Sequence, residues 1–307
     1  MDYDIFFINL DTATKRRKNC EKNFPKSVRI PGVNGKELTI EDRHEKKILQ
    51  NVSDGVAGCF LSHIAAWEKV SKSDKPWSII IEDDYNPPDN FTEEVQNIIN
   101  ELPENWDLVN LYYYKFPRLV DYYVKLQGFD TTRSNYSKSL IKRGFNLSSC
   151  CYMVSKKGVT KLLDYYQNNG IKNHVDKIVN RVDLIKFCAR DPIGKTNSRV
   201  FDSLTTQKRP YVFNKIMDDF RNISSDVSDA WFLSESDYKY GSFEINCWFG
   251  IFLIMGLLSG FLNMPFISKF LIFVFLIDAL ITRDIKGVGV DITTVLISFM
   301  TGYLIRL

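Results

Sequence analysis

Three consecutive acidic residues, Glu82, Asp83 and Asp84, offer the clearest opportunity for chemistry in this chain. Like charges this close raise one another's pKa, so a folded site that keeps all three ionised needs a counter-charge. A divalent cation supplies one, and oxygen ligands suit Mn²⁺ or Mg²⁺, which complete their coordination with substrate phosphates and water. The corresponding chemistry is displacement at a carbon that bears a diphosphate leaving group. An acidic surface turn is the alternative interpretation, because Asp-Asp pairs are common.

A predicted buried strand carries this acidic run. Residues 77–81 (Trp-Ser-Ile-Ile-Ile) form a mainly apolar run, which is typical of a strand in a parallel sheet that is covered on both faces. In open α/β sheets, ligands bind beyond the carboxyl ends of the strands. Glu82 follows Ile81 directly, so the sequence predicts that the acidic side chains lie at a ligand-binding edge.

The segments on both sides of this strand alternate between strand and helix patterns. Strands are predicted at residues 4–10, 77–81, 106–111, 149–155 and 184–188. Helices are predicted at residues 14–24, 39–49, 58–70, 91–102 and 156–166. This alternation predicts an α/β fold with a mostly parallel sheet flanked by helices. Residues 114–146 are polar and aperiodic, so we expect them to form a long excursion over the site.

Composition argues against several other classes of protein. The chain has 40 Lys and Arg against 37 Asp and Glu, a formal charge of only +3, whereas a protein that neutralises many phosphates is strongly basic. We therefore expect no nucleic-acid partner. The six cysteines include no Cys-x-x-Cys pair and there are only three histidines, so neither a zinc site nor a disulfide framework is expected.

The carboxyl-terminal part of the chain differs from the rest because it is strongly apolar. Three of its stretches are each slightly shorter than the ~20 residues that span a bilayer. They are residues 247–262, 266–281 and 288–305. We therefore expect a water-soluble domain at residues 1–235, followed by hydrophobic, membrane-associated helices at residues 236–307. A hydrophobic dimerisation module is the alternative.

Charged residues in and near these stretches bear on the topology. Asp278 and Asp291 would be costly in contact with lipid, so we expect helix packing or shallow placement around them. The start of the chain has no basic flank followed by a long apolar run, so no signal peptide is expected. With three spans, the basic link at residues 283–286 falls on the cytosolic side together with the amino-terminal domain, as the positive-inside rule favours.

Six short sequence motifs follow one another along the chain, and their combination in this order is specific. They are residues 7–11 (Phe-Ile-Asn-Leu-Asp) with Arg16-Arg17, residues 58–63 (Gly-Cys-Phe-Leu-Ser-His) with Trp67, residues 80–84 (Ile-Ile-Glu-Asp-Asp), residues 106–108 (Trp-Asp-Leu), residues 152–158 (Tyr-Met-Val-Ser-Lys-Lys-Gly) with Leu162-Leu163, and Val175-Asp176. Over about residues 3–207, this set resembles the glycosyltransferase family 25 domain. That family includes bacterial lipopolysaccharide galactosyltransferases and collagen galactosyltransferases.

The resemblance implies a GT-A-type nucleotide-sugar fold and an inverting transfer. It also implies a UDP-sugar donor, often UDP-galactose, a Mn²⁺ or similar cofactor, and an acceptor hydroxyl on a glycan, a lipid or a protein. By position, Glu82, Asp83 and Asp84 occupy the family's Asp-x-Asp-like donor and metal site. Asp83 and Asp84 are then the expected metal ligands, Glu82 binds the donor, and Asp83 also acts in catalysis.

Further site residues are expected from the same resemblance: Asn9, Arg17, Ser62, His63 and Asp176. Asn9 and Arg17 fall in the segment expected to line the nucleotide pocket, and Arg16 is the weaker candidate of the basic pair. His63, beside Ser62 on a predicted helix, either reaches the site or stacks in the core. Asp176 is expected to bind the acceptor or act as general base, and its alternative role is to complement the dipole of a helix.

Two other functions stay compatible with the sequence. A membrane-anchored adaptor that keeps the transferase fold without activity would bind no nucleotide. A nucleotidyltransferase or phosphotransferase could use the same acidic strand end with a different substrate.

Overall fold

The computed structural model describes residues 3–50, 52–113, 124–125, 128–196, 238–240, 243–245, 247–282 and 285–307. The chain divides into two compact units, Met1–Thr205 and Thr206–Leu307, and each is described by itself below. The domain boundary predicted at residue 235 lies outside the described residues and stays a prediction.

An eight-stranded sheet organises the first unit. Its strands are β1 (Tyr3–Asn9), β2 (Val28–Pro31), β3 (Trp77–Glu82), β5 (Leu108–Asn110), β6 (Arg133–Asn135), β7 (Leu140–Arg143), β8 (Cys151–Ser155) and β9 (Lys186–Ala189). A separate two-stranded ribbon pairs β4 (Tyr85–Asn86) with β10 (Lys195–Thr196). The spatial order in the large sheet is β2-β1-β3-β8-β5-β9-β7-β6.

Most strands of this sheet run in one direction. Strand β1 is parallel to β2 and β3, and β5 is parallel to β9. Strand β8 is antiparallel to both β3 and β5, and β7 is antiparallel to both β9 and β6. Because only β7 and β8 are reversed, the predicted mostly parallel α/β sheet is confirmed. All five predicted strands are present with ends shifted by a few residues, whereas β2 was not predicted.

Six helices accompany the sheet among the described residues of the first unit: α1 (Thr14–Asn23), α2 (Ile40–Glu45), α3 (Asp54–Lys72), α4 (Phe91–Glu101), α5 (Lys156–Asn169) and α6 (Val175–Val179). Polar caps set several of their starts, since the Ser53 hydroxyl accepts from Val56 N and the Ser155 hydroxyl accepts from Gly158 N. Helix α5 ends at Gly170, whose φ of 68° favours glycine.

Two apolar cores lie on the two faces of the sheet, and β3 contributes to both. Ile80 packs in the core that contains Trp67 of α3, while Ile79 and Ile81 pack in the core that contains Ile98 of α4. Side chains alternate between the faces of a strand, so the residue two positions after Ile80 faces the α3 side. That residue is Glu82, and the sheet therefore aims it at α3.

The predicted excursion over residues 114–146 is wrong for its second half. Residues 133–143 contain the hairpin of β6 and β7, which extends one edge of the sheet. Leu140 is completely buried in the core, and the Glu101 carboxylate accepts hydrogen bonds from Ser137 and Ser139 in the turn. The pattern was not recognisable because all three residues of β6 are exposed and polar. Residues 114–123 lie outside the described part of the chain.

The second unit contains three apolar helices, α7 (Cys247–Phe261), α8 (Pro265–Thr282) and α9 (Ile285–Arg306), at the three predicted places. A short ribbon of β11 (Tyr238–Tyr240) and β12 (Phe243–Ile245) precedes them. One described segment, Val288–Arg306, is long and apolar enough to cross a membrane, and Trp248–Phe261 is a shorter apolar helix.

The helices of this unit pack closely against one another. A Cβ atom built on Gly260 of α7 would lie 2.0 Å from Phe299 O of α9, and one on Gly302 would lie 2.0 Å from Leu257 O, so the two helices are in backbone contact. Asp278 is completely buried among the helices, which agrees with the helix packing expected around it. Large apolar side chains such as Phe270 remain exposed.

Candidate active site

The carboxyl end of β3 places the acidic run at the edge of the sheet. Glu82 is the last residue of the strand, and its backbone N–H donates to Cys150 O at 2.8 Å. Asp83 and Asp84 form the turn that leads to β4. A hydrogen bond next to this turn fixes the start of β4, because the buried Tyr85 hydroxyl donates to Ile193 O at 2.8 Å. The three carboxylates therefore lie at the carboxyl end of β3, as the sequence predicts.

Asp83 is buried and bound on both sides. Asn9 Nδ2 donates to its Oδ2 at 2.7 Å, and Arg16 Nη1 donates to its Oδ1 at 3.0 Å. Burial raises the pKa of Asp83, although the hydrogen bonds from Asn9 and Arg16 act in the opposite direction. Asn9 is itself oriented by Arg29, whose Nε donates to Asn9 Oδ1 at 3.1 Å. The structure thus brings the predicted pair Asn9 and Asp83 together.

Of the two arginines, Arg16 contacts the acidic run, whereas the preferred candidate Arg17 pairs with Glu21. Arg17 Nε donates to Glu21 at 2.8 Å, and both of these side chains are about half exposed. Consecutive residues of a helix point about 100° apart, so the two arginines cannot share one face. Helix α1 buries only Cys20, which leaves no apolar stripe in the sequence from which its orientation could be predicted.

Glu82 is held as an anion by hydrogen bonds. Its Oε1 accepts from Ser149 Oγ at 2.5 Å and lies 3.2 Å from His63 Nε2. Burial raises the pKa of Glu82, but the hydrogen bonds from His63 and Ser149 and the charge of Arg16 outweigh this effect, so the pKa lies below its ordinary value. Among the described residues, both bonds end on Oε1, and neither uses Oε2.

Asp84 differs from its neighbours because one of its oxygens is both buried and without a partner among the described residues. Its Oδ1 is buried and accepts no hydrogen bond from any described residue. Burial, together with the charges of Glu82 and Asp83, raises the pKa of Asp84 to about 7. A buried carboxylate oxygen without a donor is costly. A bound cation would remove this cost, so the residues present fit the predicted divalent ion.

The two predicted site residues of α3, Ser62 and His63, have different contacts. The buried Ser62 hydroxyl accepts from Val33 N at 2.8 Å and donates to Gly58 O at 2.6 Å. Both bonds are to the backbone, so Ser62 ties a loop to α3 and the prediction of donor binding is not supported by its contacts. His63 is completely buried and does reach the acidic run, through its contact with Glu82.

Asp176 lies in the first turn of α6, beside a small cavity. Its Oδ2 accepts from Ser148 N at 3.3 Å, and its Oδ1 accepts from Lys177 N at 2.8 Å. The cavity is lined partly by Ser149 and Tyr152. Burial and the charges of Glu82, Asp176 and Asp84 raise the pKa of the Cys59 thiol well above its ordinary value. These carboxylates therefore surround one region, although they come from separate segments.

The weaker candidate Arg16 contributes to the site, and so do three residues that were not predicted: Cys59, Ser149 and Tyr152. The register of the sheet pairs Tyr152 with Ile80, which puts Tyr152 on the same face as Glu82. Single atoms of Cys59, His63 and Glu82 lie within 4.8 Å of one another and could together hold a metal ion. Such an ion would have to break the hydrogen bond between His63 and Glu82.

Known proteins are similar to part of this chain in sequence. A glycosyltransferase 25 family member of Anopheles gambiae is 27% identical over 176 residues, which are 52% of this chain and 28% of the mosquito protein. Procollagen galactosyltransferase 1 of Danio rerio is 26% identical over 183 residues, with the same shares of the two chains. The chain thus spans little more than a quarter of the length of these relatives.

Solved structures show only a distant likeness. A crystal structure of an active-site mutant of LgtC has a TM-score of 0.36 and 11% identity, and it covers 69% of this chain and 81% of its own. Mouse xyloside xylosyltransferase 1 has a TM-score of 0.27 and 11% identity, with 59% and 81% coverage.

A family model also matches the chain. Residues 2–179 match the model described as glycosyltransferase family 25 (LPS biosynthesis protein). This region contains the acidic run, together with Asn9, His63 and Asp176. Because the match covers more than half of the 307 residues, the chain belongs to glycosyltransferase family 25.

Proposed function

We propose that this chain is an inverting glycosyltransferase that uses a divalent cation, Mn²⁺ or Mg²⁺. The donor is a UDP-sugar, with UDP-galactose as the first candidate, and the acceptor is a hydroxyl of a glycan, a lipid or a protein. Family membership supports sugar transfer. The observation that carries the metal and the donor site is the buried Asp84 Oδ1, which has no partner among the described residues at the end of β3.

Asp84 is the first residue that we assign to the cation. Asp83 stays a second candidate ligand, although each of its oxygens already accepts a hydrogen bond. When bound, the cation would neutralise the charge that develops as the UDP departs. Arg16, which is largely buried against Asp83, adds a fixed positive charge at the same place.

Asp176 is our candidate for general base. An inverting displacement needs a base that takes the proton of the acceptor hydroxyl as this oxygen attacks the anomeric carbon. Asp176 supports this role because it lies beside the cavity and acts electrostatically on Cys59 together with Glu82 and Asp84. In this assignment, the proton moves from the acceptor hydroxyl to a carboxylate oxygen of Asp176.

We also propose that the second unit attaches the protein to a membrane, with the first unit on the cytosolic side. The segment Val288–Arg306 supports this because of its length and apolar composition. Exposed apolar side chains on α8, such as Phe270 and Phe273, would be covered by lipid. The first unit would then transfer sugars from nucleotide-sugar donors at the membrane surface.

Donor turnover tests the proposal. The full chain in detergent is incubated with Mn²⁺ and a panel of UDP-sugars, and release of UDP is measured. We expect slow hydrolysis of one UDP-sugar, reduced at least about 100-fold by Asp84→Asn and unchanged by Asp89→Asn, since Asp89 is exposed in the loop that follows. Absence of any nucleotide binding would favour the adaptor, and preference for nucleoside triphosphates would favour a nucleotidyltransferase or phosphotransferase.

A further inference from the structure

A buried chain of hydrogen bonds connects the core beneath the sheet to the acidic run. Trp67 Nε1 donates to Tyr152 Oη at 2.8 Å, and Tyr152 Oη lies 2.9 Å from His63 Nδ1. His63 Nε2 lies 3.2 Å from Glu82 Oε1, where the chain reaches the site. Trp67 and His63 are fully buried and Tyr152 is 3% exposed, so these hydrogen bonds are shielded from bulk water.

The fold places these four side chains together by simple periodicity. His63 and Trp67 are four residues apart on α3, so they lie on one face of the helix. Tyr152 pairs in register with Ile80, and Glu82 is two residues further along the same strand face. The face of α3 and the face of the sheet meet in the first core, so the chain of hydrogen bonds crosses the helix–sheet interface.

The chemical types of the groups determine the direction of every bond. A tryptophan indole only donates, so the Tyr152 oxygen is the acceptor in its bond with Trp67. The hydroxyl hydrogen of Tyr152 then needs an acceptor, and among the described residues His63 Nδ1 is the atom in reach. A buried hydroxyl without an acceptor would be costly. His63 Nδ1 therefore carries no hydrogen, and the ring hydrogen is on Nε2.

This tautomer suits Glu82. With its hydrogen on Nε2, the His63 ring donates to Glu82 Oε1, which also accepts from Ser149 Oγ. The opposite tautomer would direct a nitrogen lone pair at the carboxylate. Glu82 would then lose one of its two hydrogen bonds on Oε1, and its position at the end of β3 would be less defined.

We propose that Tyr152 and Trp67 are positioning residues that fix His63 in the Nε2–H tautomer, so that His63 orients the carboxylate of Glu82. The statement about the ring stands on the hydrogen bonds alone. The statement that the orientation of Glu82 assists sugar transfer rests on the proposed function.

Nitrogen NMR tests the tautomer directly. The full chain in detergent is labelled with ¹⁵N-histidine, and its three imidazole rings are observed in long-range ¹H–¹⁵N correlation spectra with EDTA present. His44→Gln and His174→Gln, made separately, assign the remaining signal to His63 by difference. We expect a single pattern with a protonated Nε2 and an unprotonated Nδ1. A pattern with Nδ1 protonated would overturn the proposal.

Two phenylalanine variants separate positioning from simple packing. Tyr152→Phe keeps the ring but removes the hydroxyl, so we expect His63 to populate both tautomers and donor hydrolysis to fall by about 10- to 100-fold. Tyr166→Phe is the matched control, because within the described part of the chain the Tyr166 hydroxyl contacts only Lys46 O, at the border of the same core. It should leave the His63 spectrum and the turnover unchanged. An unaltered His63 pattern in Tyr152→Phe would refute the positioning role.

The two proposals fail in different ways. If the wild-type chain shows the Nε2–H tautomer and Tyr152→Phe disturbs it, but no UDP-sugar is turned over, then the positioning of Glu82 holds and the proposed transferase activity does not. If turnover is present and the wild-type ring has the opposite tautomer, the positioning proposal is wrong while the transferase activity stands.

Discussion

Replacing Asp84 by asparagine should stabilise the fold while removing its activity. The Asp84 carboxyl has its pKa raised from the ordinary 3.8 to about 7, because it is buried close to the charges of Glu82 and Asp83. A raised pKa in an acid means that the folded state binds the proton more tightly than the unfolded state. The contribution of Asp84 to stability is therefore most favourable below the ordinary pKa, and it is lost as pH rises from about 4 to about 7.

The size of this stabilisation follows from the ordinary and the raised pKa of Asp84. A change of tenfold in proton affinity corresponds to about 1.4 kcal/mol, so the difference between 3.8 and about 7 amounts to about 4 kcal/mol. The asparagine amide is also imperfectly paired at this position, which removes about 1 to 2 kcal/mol of the gain. We therefore expect Asp84→Asn to raise the free energy of unfolding by about 2 to 3 kcal/mol at pH 8 without metal.

Urea unfolding of the full chain in detergent, followed by tryptophan fluorescence in EDTA, measures this difference. The gain should shrink as pH falls and vanish near about pH 5, because the carboxyl is then protonated in the folded state. Below that pH the variant should be slightly less stable than the wild type, since the cost of the imperfectly paired amide remains. Added Mn²⁺ should stabilise the wild type and not the variant. Asp89→Asn, which changes an exposed acid nearby, should alter neither curve. If the variant is less stable than the wild type at pH 8, the claim that the ionised Asp84 carboxylate destabilises the metal-free fold is refuted.

Three further predictions concern other contacts. Arg16→Ala should weaken UDP-sugar binding by about 10- to 100-fold, measured by calorimetry, whereas Arg17→Ala should leave binding unchanged because Arg17 pairs with Glu21 at the surface. Asp176→Asn should lower the rate of transfer by at least about 100-fold with little change in donor affinity, as steady-state kinetics would show. Lys161→Met should lower the free energy of unfolding by about 3 kcal/mol, since it leaves the buried Asp107 carboxylate without its 2.6 Å ion pair.

Features that depend on local periodicity could be predicted from the sequence. The apolar run that ends in Glu82 gave the central strand and the position of the acids at its end. The spacing of Phe60, Ile64 and Trp67 gave the buried face of α3. Both signals are strong because burial on one face leaves a repeated pattern.

Features that depend on pairing between distant segments could not be predicted. Helix α1 has no apolar stripe, so nothing local indicates that Arg16 and not Arg17 faces the acidic run. The role of Tyr152 depends on its register with Ile80, which is set by the whole sheet. Ser149 precedes β8 and meets Glu82 for the same reason.

The central claim is that the end of β3 holds a divalent cation against a nucleotide diphosphate. Electron paramagnetic resonance of Mn²⁺ tests it most directly, because the signal of free Mn²⁺ disappears on binding. With the full chain and UDP, we predict tight uptake of one Mn²⁺ per chain that Asp89→Asn preserves and Asp84→Asn weakens by at least about tenfold. Equal Mn²⁺ uptake by the wild type and Asp84→Asn in the presence of UDP would contradict the claim.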